Sequence, residues 1–163
     1  MRYTVSIEIA QPRERVAQLL ADPVHMPMWL RGLVVHEPRS GEHGHVGTES
    51  RVVFRTGKQE MEATETITRR EPTDLHGIPG DSIVRFEREI VADGMWNAAR
   101  ERLTEAGPGT TLWESENEYR FSGLPMRVVA PLLRGTFRKQ SLQHMQDFKA
   151  FAEQGTDVRG AGG

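Results

Sequence analysis

The sequence predicts an α+β fold in which a curved antiparallel sheet of about seven strands packs against one long C-terminal helix. Its first ten residues, MRYTVSIEIA, alternate polar and apolar side chains as a half-buried strand does. From residue 33 onward, alternating segments are separated by glycine-containing turns, and strands joined in this way pair antiparallel. Apolar residues recur at helical spacing over residues 124–153. This order favours a sheet with one face folded around the last helix.

The segment before residue 33 predicts one strand and two short helices. Residues 3–9 alternate, and Gln11-Pro12 then opens a helix, because proline is well suited to a first helical turn. Asp22-Pro23 ends that helix. The next stretch, VHMPMWLRG, is too short and too interrupted by proline for a long helix, so we expect only one or two helical turns there.

Six more strands follow in series. We place them near residues 33–38, 46–56, 59–70, 82–91, 94–105 and 110–121. Turn sequences such as Thr56-Gly57-Lys58 and Asp93-Gly94 lie between them and favour hairpins. Residues 1–154 are therefore predicted to form a single domain, and the small, polar segment 155–163 is predicted to be a disordered tail.

Composition excludes several classes of function. With 37% hydrophobic and 27% charged residues and no apolar run near the roughly 20 residues of a membrane span, the chain is not expected to be an integral membrane protein. The net charge of −2 offers no basic surface for nucleic acid. No cysteine is present, and the N-terminus lacks the layout of a signal peptide, so we expect a cytoplasmic protein.

Strand alternation predicts that polar side chains share the apolar inner face of the sheet. The residues expected there are Glu65, Arg88, Asn97, Glu101, Trp113, Ser115, Asn117 and Tyr119, although Trp96 argues for the opposite register in its strand. Isolated buried charges cost several kcal/mol unless they are paired, hydrated or bound to a ligand. The sequence therefore predicts a hollow interior, while a purely structural Glu65–Arg88 ion pair remains an equal alternative.

The C-terminal helix presents polar groups on its apolar face as well. At 100° per residue, that face contains Ala130, Leu133, Phe137, Ser141, His144, Met145, Phe148 and Phe151. His144 has an ordinary pKa near neutrality, which suits proton transfer, although a buried core histidine explains it too.

Pro131 and Gly135 interrupt this helix one turn apart. Proline costs about 3 kcal/mol inside a helix and glycine about 1. We hypothesise that burial of Val128, Val129, Leu132 and Leu133 offsets this cost, and that the bent first turns form a movable gate at the cavity entrance.

Candidate roles follow from these positions. Glu65, Glu101 and His144 are candidates for acid–base catalysis. Met26 and Trp29 are expected to form an apolar lid, or to serve only in packing. The full set of predicted ligand contacts is Met26, Trp29, Arg88, Asn97, Trp113, Asn117, Tyr119, Leu133, Phe137 and Ser141.

Other motifs are interpreted without a function. His43 and His45 could chelate a metal, but no third ligand is evident, so no metal site is predicted. Ser141, His144 and Asp147 resemble a triad only in the text of the sequence, because Asp147 is turned about 120° from Ser141 on a helix. Arg69-Arg70-Glu71 is interpreted as solvated surface.

Three groups of segments stand out together: VSIEIAQPRERVAQLLADP with the tryptophan of MPMWLRGL, ETITRREP, and WESENEYRFSG leading into FRKQSLQHMQDFKAFAEQG. With these segments the chain resembles the START-like or birch-pollen-allergen-like helix-grip superfamily (SRPBCC), in its polyketide cyclase/dehydrase and lipid transport branch. The resemblance spans residues 3 to about 153. It implies a helix-grip fold and an internal cavity for a hydrophobic small molecule, with no cofactor.

The expected function is binding of a hydrophobic, partly oxygenated molecule, with cyclase/dehydratase-like chemistry as one form of it. A non-catalytic carrier or sensor of a lipid, isoprenoid or other apolar metabolite is the alternative. A protein-interaction module would need an exposed apolar patch that the sequence does not single out.

Overall fold

The structure is a computed structural model of the chain, in which residues 1–160 are described. One seven-stranded antiparallel sheet has the order β1-β7-β6-β5-β4-β3-β2. Its strands are β1 (Arg2–Ile9), β2 (Leu33–Ser40), β3 (Glu49–Thr56), β4 (Gln59–Glu71), β5 (Val84–Ala92), β6 (Met95–Gly107) and β7 (Thr110–Phe121). The helices are α1 (Arg13–Ala21), α2 (Met26–Trp29), α3 (Leu124–Val129) and α4 (Arg134–Gln154). This arrangement confirms the predicted helix-grip fold.

The core lies where α4 and the two short helices meet the concave face of the sheet. Phe148 of α4 is fully buried, and its ring makes edge contacts with Trp29 at 5.1 Å and with Trp113 at 5.2 Å. Each contact buries a large aromatic surface and adds a favourable edge-to-face geometry. Trp29 is only 6% exposed, so it is a core residue and the lid interpretation is wrong for it.

The predicted C-terminal helix is divided into two helices by a 3₁₀ turn at Ala130–Leu133. Pro131 lies in the first positions of that turn, where its missing N–H costs little. The burial hypothesis is wrong: Val128 is 71% and Leu132 82% exposed, and only Ala130 in this turn is buried. The proline is accommodated by starting a new helical segment rather than by compensating burial.

The chain beyond α4 turns back toward the second short helix. Gly155 adopts a left-handed conformation with φ +70°, and its N–H donates to the Phe151 carbonyl, which closes the helix. The Val158 N–H then donates to the Met28 carbonyl at 2.8 Å. Residues 155–160, predicted as disordered, thus follow a defined course because this reversal docks them on α2. Residues 161–163 of the predicted tail lie outside the described residues.

Within residues 1–160, no helix combines the length and the hydrophobicity that a membrane crossing requires.

Candidate functional site

A cavity of about 470 Å³ lies between the concave face of the sheet and the helices α1, α2 and α4. This volume is within the range of small-molecule sites. The predicted site residues that line it are Met26, Trp29, Glu65, Arg88, Asn97, Glu101, Trp113, Asn117, Tyr119, Phe137, Ser141 and His144. The alternation of residues along β5, β6 and β7 therefore identified the inner face of the sheet correctly. Trp96 lies on the outer face, where the Arg120 guanidinium stacks over its ring.

Leu133 is the predicted site residue that does not line the cavity. The prediction assumed 100° per residue through the whole helix. The 3₁₀ turn that precedes α4 advances about 120° per residue, so it rotates Leu133 away from the face that presents Phe137.

A chain of ionic contacts crosses the sheet side of the cavity from β4 to β6. Arg88 Nη2 lies 3.0 Å from Glu101 Oε1, and Arg88 Nε lies 3.6 Å from Glu65 Oε2. Both carboxylates are buried, whereas a third of the Arg88 side chain is open toward the cavity space. The guanidinium is therefore braced by two carboxylates and keeps a surface that a ligand can contact.

Two further side chains complete the hydrogen bonding of these carboxylates. Trp113 Nε1 donates to Glu101 Oε2 at 3.1 Å. His36 Nε2 lies 2.9 Å from Glu65 Oε1 and donates to it. Charged groups that exchange several hydrogen bonds in a low-dielectric interior form a rigid unit. We call His36, Glu65, Arg88, Glu101 and Trp113 the polar network.

The polar network holds Glu65 and Arg88 in their charged forms. Burial alone raises the pKa of Glu65, but the hydrogen bond from His36 and the charge of Arg88 outweigh it, so this pKa lies below its ordinary value. Burial lowers the pKa of Arg88, but Glu101 and Glu65 outweigh that effect and raise it. A carboxylate held ionised in this way is poorly suited to donating a proton.

His144 faces the polar network from α4 and has a different environment. Its side chain forms no hydrogen bond with another residue in the range 1–160, and it lines the cavity. Burial lowers its pKa below the ordinary 6.5; Asp147 opposes this shift, and Arg88 adds to it. At neutral pH, His144 is thus an uncharged imidazole with nitrogens free for a ligand or a proton.

Replacing His144 with glutamine should reduce the pH dependence of stability. Because the pKa is lower in the folded state, the unfolded chain takes up the proton first, so the free energy of unfolding falls as pH decreases below about 6.5. Urea unfolding at pH 7, 6 and 5 should show a smaller loss in the variant than in the wild type. Equal losses would mean that His144 is solvated in the folded protein.

The remaining predicted polar contacts have protein partners. Ser141 Oγ lies 2.9 Å from the Tyr3 hydroxyl. Asn117 Nδ2 donates to Ser115 Oγ at 3.0 Å, and Asn97 Nδ2 donates to the Glu118 carbonyl at 3.1 Å. These bonds fix the orientation of the side chains in the wall. Burial raises the pKa of Tyr119, which keeps its hydroxyl a donor.

Asp147 is not available to a catalytic triad. Its carboxylate accepts hydrogen bonds from Arg31 at 3.0 and 3.1 Å and from Gln143 at 3.0 Å. The structure therefore agrees with the rejection of the triad on helical geometry.

His36, His43 and Arg70 are among the cavity residues that the sequence analysis missed. His36 lies on β2, whose inward face was not assigned. Apolar residues stand on both faces of this strand, Leu33 and Val35 on one and Val34 on the other, so alternation does not show which face is inward. His43 lies in the β2–β3 loop, and its ring is 5.0 Å from that of His36. Among residues 1–160, no group of three metal-ligating side chains is present.

Arg70 enters the cavity because β4 contains a bulge. The pairing of β4 with β5 shifts between Ile67 and Arg69, so Arg69 lies opposite Glu87 and Arg70 opposite the inward Phe86. A bulge adds one residue and reverses the faces beyond it. The surface interpretation is therefore wrong for Arg70, whereas Arg69 pairs with Glu71 and Glu87.

Solved structures that resemble this chain share its fold at low sequence identity. The protein TTHA0849 from Thermus thermophilus has a TM-score of 0.73 at 14% identity, covering 93% of this chain and 97% of that one. Truncated norcoclaurine synthase from Thalictrum flavum has 0.68 at 15%, covering 94% of each chain. The Zhui aromatase/cyclase from Streptomyces sp. R1128 has 0.69 at 14%, covering 100% of this chain and 98% of that one.

No protein-family model and no curated protein sequence matches the chain. The polyketide cyclase/dehydrase and lipid transport branch therefore stays a prediction from the sequence. Structural likeness over nearly the whole length and the order of elements lead to one conclusion: the chain has the helix-grip fold that these solved structures share.

Proposed function

We propose that this protein binds a hydrophobic, partly oxygenated small molecule in the cavity. The observation that supports it most is the open face of Arg88 within an otherwise largely aromatic and aliphatic wall. A cation fixed by two buried carboxylates needs no further protein partner, yet it can donate hydrogen bonds to a carbonyl or hydroxyl oxygen of a ligand. Aromatic side chains such as Phe137 and Tyr119 would contact the apolar part.

Phe137 provides the test of binding. Its ring lies 4.9 Å from that of Tyr119, and both side chains line the cavity wall. 1-Pyrenebutanol is a fluorescent probe with one apolar ring system and one hydroxyl. The wild type should bind it, and Phe137→Ala should weaken binding about tenfold, which corresponds to a loss of about 1.4 kcal/mol.

The controls separate binding from folding. Leu132→Ala removes an exposed aliphatic side chain outside the cavity, so it should leave the affinity unchanged. Native mass spectrometry of protein purified without denaturation should also detect a co-purified small molecule. Absence of probe binding by the wild type would overturn the proposed function.

A catalytic form of this function is favoured by one observation, the neutral His144 that faces Arg88 without a hydrogen-bond partner among residues 1–160. His144 would take a proton from the carbon beside a ligand carbonyl, while Arg88 stabilises the enolate oxygen. That carbon would attack a second carbonyl of the same ligand, the resulting alkoxide would regain the proton from His144, and loss of water would follow. The names aromatase/cyclase and norcoclaurine synthase indicate that two proteins of this fold are enzymes, which is compatible with the proposal.

Heptane-2,6-dione tests the catalytic form, because it closes to a cyclohexenone and water by this chemistry. We expect the wild type to accelerate the closure and His144→Gln to lose the acceleration while keeping its affinity for 1-pyrenebutanol. Equal rates with both proteins would favour the carrier or sensor alternative. Trp29 is unsuitable for this comparison, because its truncation would damage the core.

A further inference from the structure

We propose that Arg70 is the anion-binding group of the cavity and that the ligand carries a carboxylate; this proposal rests on the proposed function and names its ligand class. Arg70 reaches the cavity at the end formed by β4 and the β2–β3 loop, away from the segment between α3 and α4. It is therefore a second polar contact point besides the polar network.

Arg70 differs from the other arginines of the cavity wall in having no carboxylate partner. Arg88 pairs with Glu65 and Glu101, Arg31 pairs with Asp147, and Arg69 pairs with Glu71 and Glu87. Within residues 1–160, no acidic oxygen lies within ion-pair distance of Arg70. Arg70 is thus a cation of the cavity wall that no carboxylate of the described residues neutralises by direct contact.

The hydrogen bonding of Arg70 is also incomplete. Nη1 donates to the Gly44 carbonyl at 3.1 Å, and the buried Nε has no partner among the described residues. Burial lowers the pKa of this arginine, which reflects the cost of enclosing an unpaired charge. Nη2 also has no partner among the described residues, and unlike Nε it is not enclosed by protein, so a ligand carboxylate would accept a hydrogen bond from Nη2 and neutralise the charge.

The backbone around Arg70 is built to hold the guanidinium in this position. The β4 bulge turns Arg70 inward, as described above. Gly44 has φ +80°, and a Cβ atom at this position would clash with Arg70 Nη1. Only glycine combines that backbone conformation with such a close approach. The loop therefore fixes Nη1 of the guanidinium and leaves Nη2 without a partner among the described residues.

The experiment compares two probes that differ only in the group offered to Arg70. 1-Pyrenebutyric acid and 1-pyrenebutanol are titrated at neutral pH and low salt into the wild type, Arg70→Gln, Arg70→Lys and Arg85→Gln. The wild type should prefer the acid. Arg70→Gln should weaken binding of the acid by about tenfold to a hundredfold and leave the alcohol unchanged, because a charge-assisted contact is lost.

The two other variants make the result specific. Arg70→Lys keeps the charge without the planar fork, so it should recover only part of the acid affinity. Arg85→Gln removes a neighbouring positive charge outside the cavity, at the β5 position opposite Glu71, and should behave as the wild type. Circular dichroism confirms the fold of each variant, and the alcohol titration confirms an intact cavity.

The outcomes distinguish this proposal from the proposed function. If the wild type and Arg70→Gln bind both probes with the same acid-to-alcohol ratio, the carboxylate proposal is overturned and ligand binding stands. If neither the wild type nor Arg70→Gln binds either probe, both proposals fail. If Arg85→Gln lowers acid affinity as much as Arg70→Gln, the effect is one of general surface charge and the assignment to Arg70 is overturned.

Discussion

Replacing Arg88 with methionine is expected to lower the free energy of unfolding by about 3–5 kcal/mol, because it leaves Glu65 and Glu101 buried without their common cation. Methionine keeps most of the aliphatic volume, so the loss reports the electrostatic effect rather than a packing defect. Urea or guanidinium unfolding monitored by circular dichroism measures it.

Arg102→Met is the matched control, since Arg102 lies on the adjacent outward face of β6 and is exposed. Its free energy of unfolding should change by no more than about 0.5 kcal/mol. Adding Glu65→Gln and Glu101→Gln to the Arg88 variant should recover part of the loss, because neutral amides cost less to bury than unpaired carboxylates. A loss below about 1 kcal/mol for Arg88→Met would contradict a desolvated polar network.

Replacing Ala99 with tryptophan is expected to abolish ligand binding while keeping the fold. Ala99 lies between Arg88 and Asn117 in the strand register, and its small side chain faces the open space. A tryptophan there would occupy the space in front of Arg88. The affinity for 1-pyrenebutanol should fall at least about a hundredfold, or about 2.7 kcal/mol.

The stability of the Ala99 variant distinguishes a hollow interior from a packed one. Filling a real cavity leaves the free energy of unfolding unchanged or raises it by up to about 2 kcal/mol. Overpacking a solid core lowers it by about 1–3 kcal/mol. Val91→Trp is the control, because Val91 is exposed on the outer face of β5 and should leave the affinity unchanged.

The inner face of the sheet could be predicted wherever alternation is uninterrupted. In β5, β6 and β7, alternating apolar residues identify which face of the sheet is buried. Arg88, Asn97, Glu101 and Asn117 stand at the same alternating positions, so they must lie on that face. Arg70 could not be placed in this way, since nothing in the residues around Thr68 marks the bulge that reverses the faces. Bulges depend on pairing with the neighbouring strand rather than on local sequence.

The helical region shows the opposite limitation. Helical periodicity located Phe137, Ser141 and His144 on the cavity side of α4, because that helix is regular. The same periodicity misplaced Leu133, since the 3₁₀ turn changes the angle per residue. His36 was missed because a polar residue on a short edge strand gives no apolar parity to follow. Its place in the site becomes evident only in the folded structure, where His36 contacts Glu65.

The most direct test of a ligand-accessible hollow is the position of a bound probe. Intermolecular NMR contacts should connect the pyrene protons of 1-pyrenebutanol with the methyl groups of Ala99, Ile67 and Ile90, which all line the cavity. Contacts confined to exposed aliphatic side chains such as Val128 and Leu132, with the cavity methyl groups unaffected, would contradict the account.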